Sequence, residues 1–175
     1  LSDGTQIWGQ EDIKIAGHGT VQAGVIAFSD NSGDGKWDPR EYILYIPEGF
    51  EGKELPILML YPGNSQTDSI FMDSTLWWQL AEKEGIALAF VCETYSSSPS
   101  SVSHADSDKF YQSLVTLMEE KIDGSYADLD FNRIYGSGQS AGSAATQGFA
   151  VTNPEFFAAV GSTSAAAAEK ENSAF

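Results

Sequence analysis

Gly138-Gln139-Ser140-Ala141-Gly142 places a serine between two glycines at fixed spacing. Such a pentapeptide serves acyl transfer when it forms a sharp strand-to-helix turn. The serine then sits at the apex in a strained conformation, and only small residues fit two positions before and after it. The context supplies both arms: a strand-like stretch, Arg133–Tyr135, precedes the motif, and a helical stretch of small residues follows it. Ser140 Oγ is expected above the strand ends, near the positive end of the helix. The backbone N–H of Ala141 is expected to face the point where an oxyanion forms. The plain alternative is a Gly/Ser-rich helix start with no chemistry.

A second oxyanion donor should come from a loop after another strand. Pro56–Tyr61 is a short unbroken apolar run, the mark of a strand buried on both faces, and Tyr61-Pro62-Gly63-Asn64-Ser65-Gln66-Thr67 follows it. Gly63 allows a tight turn, and the N–H of Asn64 or Ser65 is the expected donor. An ordinary loop with Asn64 as a helix cap is the alternative.

The base is harder to find. After Ser140 there is no histidine, and the only acidic residues are Glu155, Glu169 and Glu171. The two histidines, His18 and His104, lie upstream. His104 falls in the Ser-rich stretch Glu93–Ser107, after a strand and on the correct side of a sheet, but it reads as a solvated loop residue. A serine hydroxyl without a base is a poor nucleophile at neutral pH. The chain alone is therefore expected to be nearly inactive, with Asp and His supplied by a missing C-terminal segment or a partner chain.

A second constellation spans Asp30, Ser32, Asp34, Asp38 and Glu41, at positions 1, 3, 5, 9 and 12 of a twelve-residue loop with Gly35 at position 6. This is the spacing of a calcium loop of the EF-hand kind, with serine at position 3. The flanks, Ala23–Phe28 and Glu41–Pro47, read as strands rather than helices, so a hairpin turn rich in Asp and Gly competes with a structural Ca²⁺ site.

The elements that must position these residues follow from periodicity. Ile13–Ala16, Val21–Phe28 and Glu41–Pro47 read as early strands, and Ile86–Cys92 as a second buried strand after Pro56–Tyr61. Thr75–Gly85 has helical spacing with a glycine stop. Asp108–Ile122 puts Phe110, Leu114, Leu117 and Met118 on one helical face, with Asp108 as the simplest cap. Asn132–Gly136 is a strand, Ala141–Thr152 a helix stopped by Asn153-Pro154, and Phe156–Val160 the last strand. Ala165–Ala168 reads as helix or tail. Of Trp77 and Trp78, one belongs to the core and the other touches a neighbouring element or lines the site. From residue 56 onward strand and helix alternate, which predicts an α/β fold with a mostly parallel sheet and flanking helices. The chain stops just after a strand, so the sheet is expected to lack its C-terminal strands.

With 175 residues, 42% of them apolar, the chain is one domain's worth of polypeptide and can bury a core. Residues 1–41 form N-terminal strands and the Asp/Gly-rich loop; residues 42–175 form the core that carries Ser140. Nine basic against 25 acidic residues give a net charge of −16, which argues against nucleic acid and anionic membrane surfaces as partners. The single cysteine, Cys92, excludes an intrachain disulfide and reads as a buried thiol. The longest apolar run, Ile86–Cys92, is far short of the about 20 residues that span a bilayer. The chain begins at Leu1 without a signal-peptide pattern. Acidic, Ser-rich composition with little Lys and Cys fits a secreted bacterial protein.

Taken in order, several pieces resemble the extracellular polyhydroxybutyrate depolymerase and feruloyl esterase group of α/β-hydrolases. They are Tyr42–Pro47 with Gly49-Phe50, Pro56–Tyr61 with Pro62–Thr67, Leu80-Ala81 with Gly85, Asp130–Tyr135, Gly138–Gly142 and Pro154–Val160. Pro62 stands where the family usually has His, Asn64 where it often has Cys, and Ser143 where it has a further Gly. The resemblance implies a serine esterase with Ser140 as nucleophile, an ester as substrate and no required cofactor. A serine peptidase of the same fold, or a non-catalytic carbohydrate- or polymer-binding module that keeps the turn, are the alternatives; exposed Trp8 or Trp37 would favour the module.

Overall fold

The computed structural model describes residues 1–14, 18–28, 38–63, 66, 68–91 and 104–165. In chain order the elements are β1 (Gln6–Lys14), β2 (Thr20–Phe28), β3 (Asp38–Ile46), β4 (Glu54–Tyr61), α1 (Asp68–Thr75) and α2 (Trp77–Glu84). They continue with β5 (Ala87–Val91), α3 (His104–Lys121), β6 (Asp128–Gln139), α4 (Ala141–Thr152) and β7 (Ala159–Thr163). The seven strands form one sheet in the order β1-β2-β3-β5-β4-β6-β7. β1, β2, β3 and β5 pair antiparallel in succession, whereas β5, β4, β6 and β7 run parallel. The parallel half is the part in which sequence alternation predicts it.

The unbroken apolar runs have a direct cause. Along β4, Ile57, Met59 and Tyr61 join one core with Leu44, Ala89, Leu114 and Phe149, under α3 and α4. The intervening Leu58 and Leu60 join a second core with Tyr45, Phe90, Phe71 and Ala81, under α1 and α2. A strand with a helix layer on each face has no solvent side, so alternation disappears from its sequence. The apolar face of α3 is as expected: Phe110, Leu114, Leu117 and Met118 are all buried. Trp77 and Trp78 both pack, half-buried, on the second core, and Trp78 meets His18 edge-on at 5.5 Å between ring centres.

Several boundaries differ from the sequence reading. β1 spans Gln6–Lys14 rather than starting at Ile13. β6 extends over Asp128–Gln139, and β7 begins at Ala159 because Phe156 and Phe157 turn inward against Tyr111 and Phe149. α3 starts at His104, so Asp108 lies inside the helix and is not its cap. The helix expected over Thr75–Gly85 is α2; a separate helix, α1, precedes it, and the chain breaks between them at Leu76, which has φ 55° and ψ 23°. Cys92 and Trp37 lie outside the described residues, as do residues 166–168.

Leu76 holds a left-handed conformation at the N-cap of α2, is 49% exposed and makes no side-chain cap bond. A branched side chain costs about 1–2 kcal/mol there, and asparagine both tolerates that backbone and caps a helix. Leu76→Asn is expected to stabilise the fold by about 1 kcal/mol, measured as a shift of the urea midpoint at unchanged slope.

Candidate active site

The residues between β6 and α4 are held by close backbone approach. A methyl group built on Gly142 would lie 2.3 Å from the carbonyl oxygen of Tyr61 and 2.4 Å from that of Pro62. One built on Gly138 would lie 2.3 Å from the backbone carbon and oxygen of Gly142. The first turn of α4 therefore sits directly on the end of β4 and on the end of β6. The intervening Ser140 takes φ 54° and ψ −119°, a positive-φ conformation outside the preference of L-residues.

Hydrogen bonds hold this strained residue from both sides. Its carbonyl accepts the N–H groups of Ser143 at 3.0 Å and Ala144 at 3.2 Å, and its N–H donates to the Thr163 carbonyl at 3.0 Å. The Ser140 side chain is exposed at the carboxyl ends of the parallel strands. Among the described residues neither its hydroxyl nor the Ala141 N–H has a hydrogen-bond partner. Helix α4 is buttressed from below: Tyr111 stacks on Phe149 at 4.5 Å, and Thr146 Oγ1, 3.5 Å from the Tyr111 hydroxyl, donates to the Gly142 carbonyl at 2.8 Å. Burial pushes the Tyr111 hydroxyl above its ordinary range.

Gly63 comes to the same place. A methyl group built on it would lie 3.2 Å from the Gln139 carbonyl oxygen and 3.4 Å from Ser140 Cβ. The loop after β4 thus adjoins the serine turn, as its sequence position predicts. Gly63 N–H is already committed to Gln66 Oε1 at 2.8 Å, and Gln66 N–H returns to the Gly63 carbonyl at 3.1 Å. Asn64 and Ser65, the expected donors, lie outside the described residues. Gln66 and Thr163 are the two site residues that sequence reasoning did not single out. Gln66 carried a weak signal, a polar side chain three residues after a loop glycine; Thr163 carried none.

Of the two histidines, only His18 has a described side chain, and it lies far from Ser140. His104 is the first residue of α3, and its side chain lies outside the described residues. His18 Nδ1 lies 3.2 Å and 3.3 Å from the two oxygens of Glu82, which also accepts from Gly19 N–H at 3.1 Å and from the Tyr45 hydroxyl. This group sits beside Ile46, at the end of the sheet where β5 begins. In register that end matches Ile57 and Ile134, six residues before Ser140. At about 3.3 Å per residue, the separation along the sheet is about 20 Å.

The acidic loop lies mostly outside the described residues. Asp30, Ser32 and Asp34 lie outside the described residues, whereas positions 38 and 41 belong to β3, where Phe28 pairs with Asp38 and Val25 with Glu41. In an EF-hand a helix brings position 12 back to the ion. Here position 41 lies in a strand, the flank that the sequence reading expects. A cavity of about 740 Å³ opens between residues 46–52 and 124–128, at the end of the sheet remote from Ser140.

The profile of the family described as Esterase PHB depolymerase matches residues 40–175. Solved structures similar to the chain include an acetyl xylan esterase from Aspergillus awamori, at 18% identity and a TM-score of 0.59 over 83% of this chain and 55% of that one. An S-formylglutathione hydrolase from Agrobacterium tumefaciens is similar at 16% identity and a TM-score of 0.57, over 90% of this chain and 61% of that one. A glucuronoyl esterase from Teredinibacter turnerae is similar at 14% identity and a TM-score of 0.62, over 89% of this chain and 44% of that one. The chain thus spans only about half the length of these proteins. No curated protein sequence matches it significantly. The likeness gives the fold: an α/β-hydrolase sheet with helices on both faces.

Two predictions follow from this packing. A glycine-to-alanine change inside a helix ordinarily gains up to about 1 kcal/mol. At Gly142 the sign should reverse, with Gly142→Ala losing about 1–3 kcal/mol in chemical denaturation, because two carbonyl oxygens occupy the space. At the other end, burial acts to raise the Glu82 carboxyl, but the bonds from Tyr45, His18 and Gly19 outweigh it and hold it below its ordinary 4.5. Its contribution is therefore whole above pH 4.5 and fades as pH falls through the lowered native value. Glu82→Gln should cost about 1 kcal/mol near neutrality, and urea melts of the two proteins should converge in acid.

Proposed function

The chain belongs to the Esterase PHB depolymerase family, and from that premise we propose that it is the nucleophile-bearing part of a secreted serine carboxylic-ester hydrolase. The observation that carries the reading is Ser140: a strained, exposed serine between a strand and a helix, with Gly63 of the neighbouring loop at its side.

In this reading Ser140 Oγ attacks the ester carbonyl carbon, and its proton passes to a histidine oriented by an aspartate. The tetrahedral oxyanion is met by the N–H of Ala141 and by an N–H of Asn64 or Ser65. Collapse expels the alcohol, which takes the proton back, and leaves an acyl-enzyme on Ser140. Water then releases the acid by the same steps in reverse. In this reading the Asp and His come from a C-terminal segment or a partner chain, because no histidine follows Ser140 in this sequence. The substrate is a carboxylic ester: a polyester, an acyl or feruloyl group on plant polysaccharide, or a small ester. The chemistry needs no cofactor, and no step draws on Ca²⁺.

The test is fluorophosphonate labelling of the protein, read by intact mass and by peptide mass spectrometry. The expected result is one covalent adduct on Ser140, absent in Ser140→Ala, with the polypeptide that supplies Asp and His present in the same preparation. A fully assembled protein that takes no label on Ser140 would overturn the esterase reading and favour a binding module that keeps the turn. Hydrolysis of peptide rather than ester substrates by the labelled protein would shift it to a peptidase.

A further inference from the structure

We propose that Thr163 is a positioning residue for Ser140, acting through its side-chain hydroxyl on the strand end from which the serine turn departs. The inference rests on the esterase reading of Ser140 and assigns a role to a residue outside the motif.

Thr163 is the last residue of β7, which pairs with β6 and is the outermost strand among the described residues. It makes two bonds to the turn, one from each kind of group it has. Its carbonyl accepts the Ser140 N–H at 3.0 Å, and its hydroxyl donates to the Gly138 carbonyl at 2.7 Å. The first bond continues the parallel ladder, in which Gly138 pairs with Ser162 and Gln139 with Thr163. Any residue at position 163 makes that one. The second bond needs a hydroxyl, and it fastens the residue two before the serine. Together they hold the backbone on both sides of Gln139, so the direction in which β6 delivers Ser140 is fixed from the β7 side. The α4 side is fixed independently, by Ser143 and Ala144 on the Ser140 carbonyl.

The hydroxyl has no evident structural duty elsewhere. Among the described residues, all five residues of β7 are exposed and the Thr163 hydroxyl makes no bond other than that to Gly138. The chain leaves the strand at once, with Ser164 at φ 60°, so no further ladder bond from β7 supports the turn. A conformation as costly as that of Ser140 persists only when its surroundings over-determine it. Removing one restraint lets the serine oxygen drift, and a displacement of about 1 Å in a reacting atom can cost up to about a hundredfold in rate.

The experiment compares Thr163→Val, which keeps the branched shape and loses the hydroxyl, with Thr163→Ser, which keeps the hydroxyl. It is made in the catalytically complete protein, with turnover of a short-chain ester and the rate of Ser140 phosphonylation as readouts. Thr163→Val is expected to lower kcat and the phosphonylation rate together by about tenfold with KM little changed, and Thr163→Ser to stay within about twofold of wild type. Thr163→Ala replaces the valine variant if that chain does not fold, with the same expectation. Wild-type rates in a folded variant without the hydroxyl, or a loss that appears in KM alone, would overturn the role of Thr163 while leaving Ser140 as nucleophile. A wild-type protein that the probe never labels would overturn both readings together.

Discussion

The contact on which the site depends is backbone against backbone, where the first turn of α4 rests on the ends of β4 and β6. Gly142 lies against the carbonyls of Tyr61 and Pro62, and Gly138 lies against Gly142. No side chain fits in either gap. Because the helix starts so close to the strand it has just left, the chain must reverse within one residue, and that residue is Ser140. Its positive φ is thus a consequence of packing rather than a property of serine. Strain of this kind costs about 1–3 kcal/mol. The aromatic cluster of Tyr111, Phe149, Phe156 and Phe157 under α4 offsets it by fixing the helix to α3 and the sheet.

Leu76 makes the contrast visible. It too is a non-glycine residue at positive φ, half-exposed, between two elements. Around Leu76 only a local turn closes, through Gln79 N–H on its own carbonyl. Around Ser140 the restraints come from four places: α4, β7, the end of β4 and the Gly63 loop. A strained residue tied by one local bond is a defect that the fold tolerates. One tied from four directions is held at a chosen place, and the two differ in what surrounds them rather than in dihedral angle.

Much of this was legible in the sequence where a single physical demand leaves one pattern. Burial on both faces erased alternation from Pro56–Tyr61 and Ile86–Val91, and both are central strands. The two glycines around Ser140 announced close approach. What was not legible depends on contacts between distant segments. The inward turn of Phe156 and Phe157 moved β7 three residues along, since their apolar pattern fits a strand as well as an aromatic cluster. Leu76 separates α1 from α2, and no proline or glycine marks that break in the sequence. Asp108 resembled a cap because its side-chain chemistry suits one, yet α3 begins a turn earlier. Thr163 reaches Gly138 across 25 residues, and no spacing rule anticipates that.

His18 shows why placement outranks chemistry. His18 has what a catalytic histidine needs: a carboxylate at 3.2 Å and a hydroxyl, that of Tyr45, on the same carboxylate. In another location the trio would invite a mechanism. Here Gly19 is wedged against the Ile46 carbonyl, the Trp78 ring meets the imidazole edge-on, and Tyr45 is buried. These fix the group at the end of the sheet where the parallel strands begin. Ser140 stands where they finish, beside the helix N-terminus. In open α/β sheets ligands gather outside the carboxyl ends of the strands, where loops converge and helix dipoles point outward. The strand length between the two ends, about 20 Å, is far beyond any hydrogen bond or single bridging water. The His18–Glu82–Tyr45 group therefore belongs to the joint between the N-terminal strands and α2.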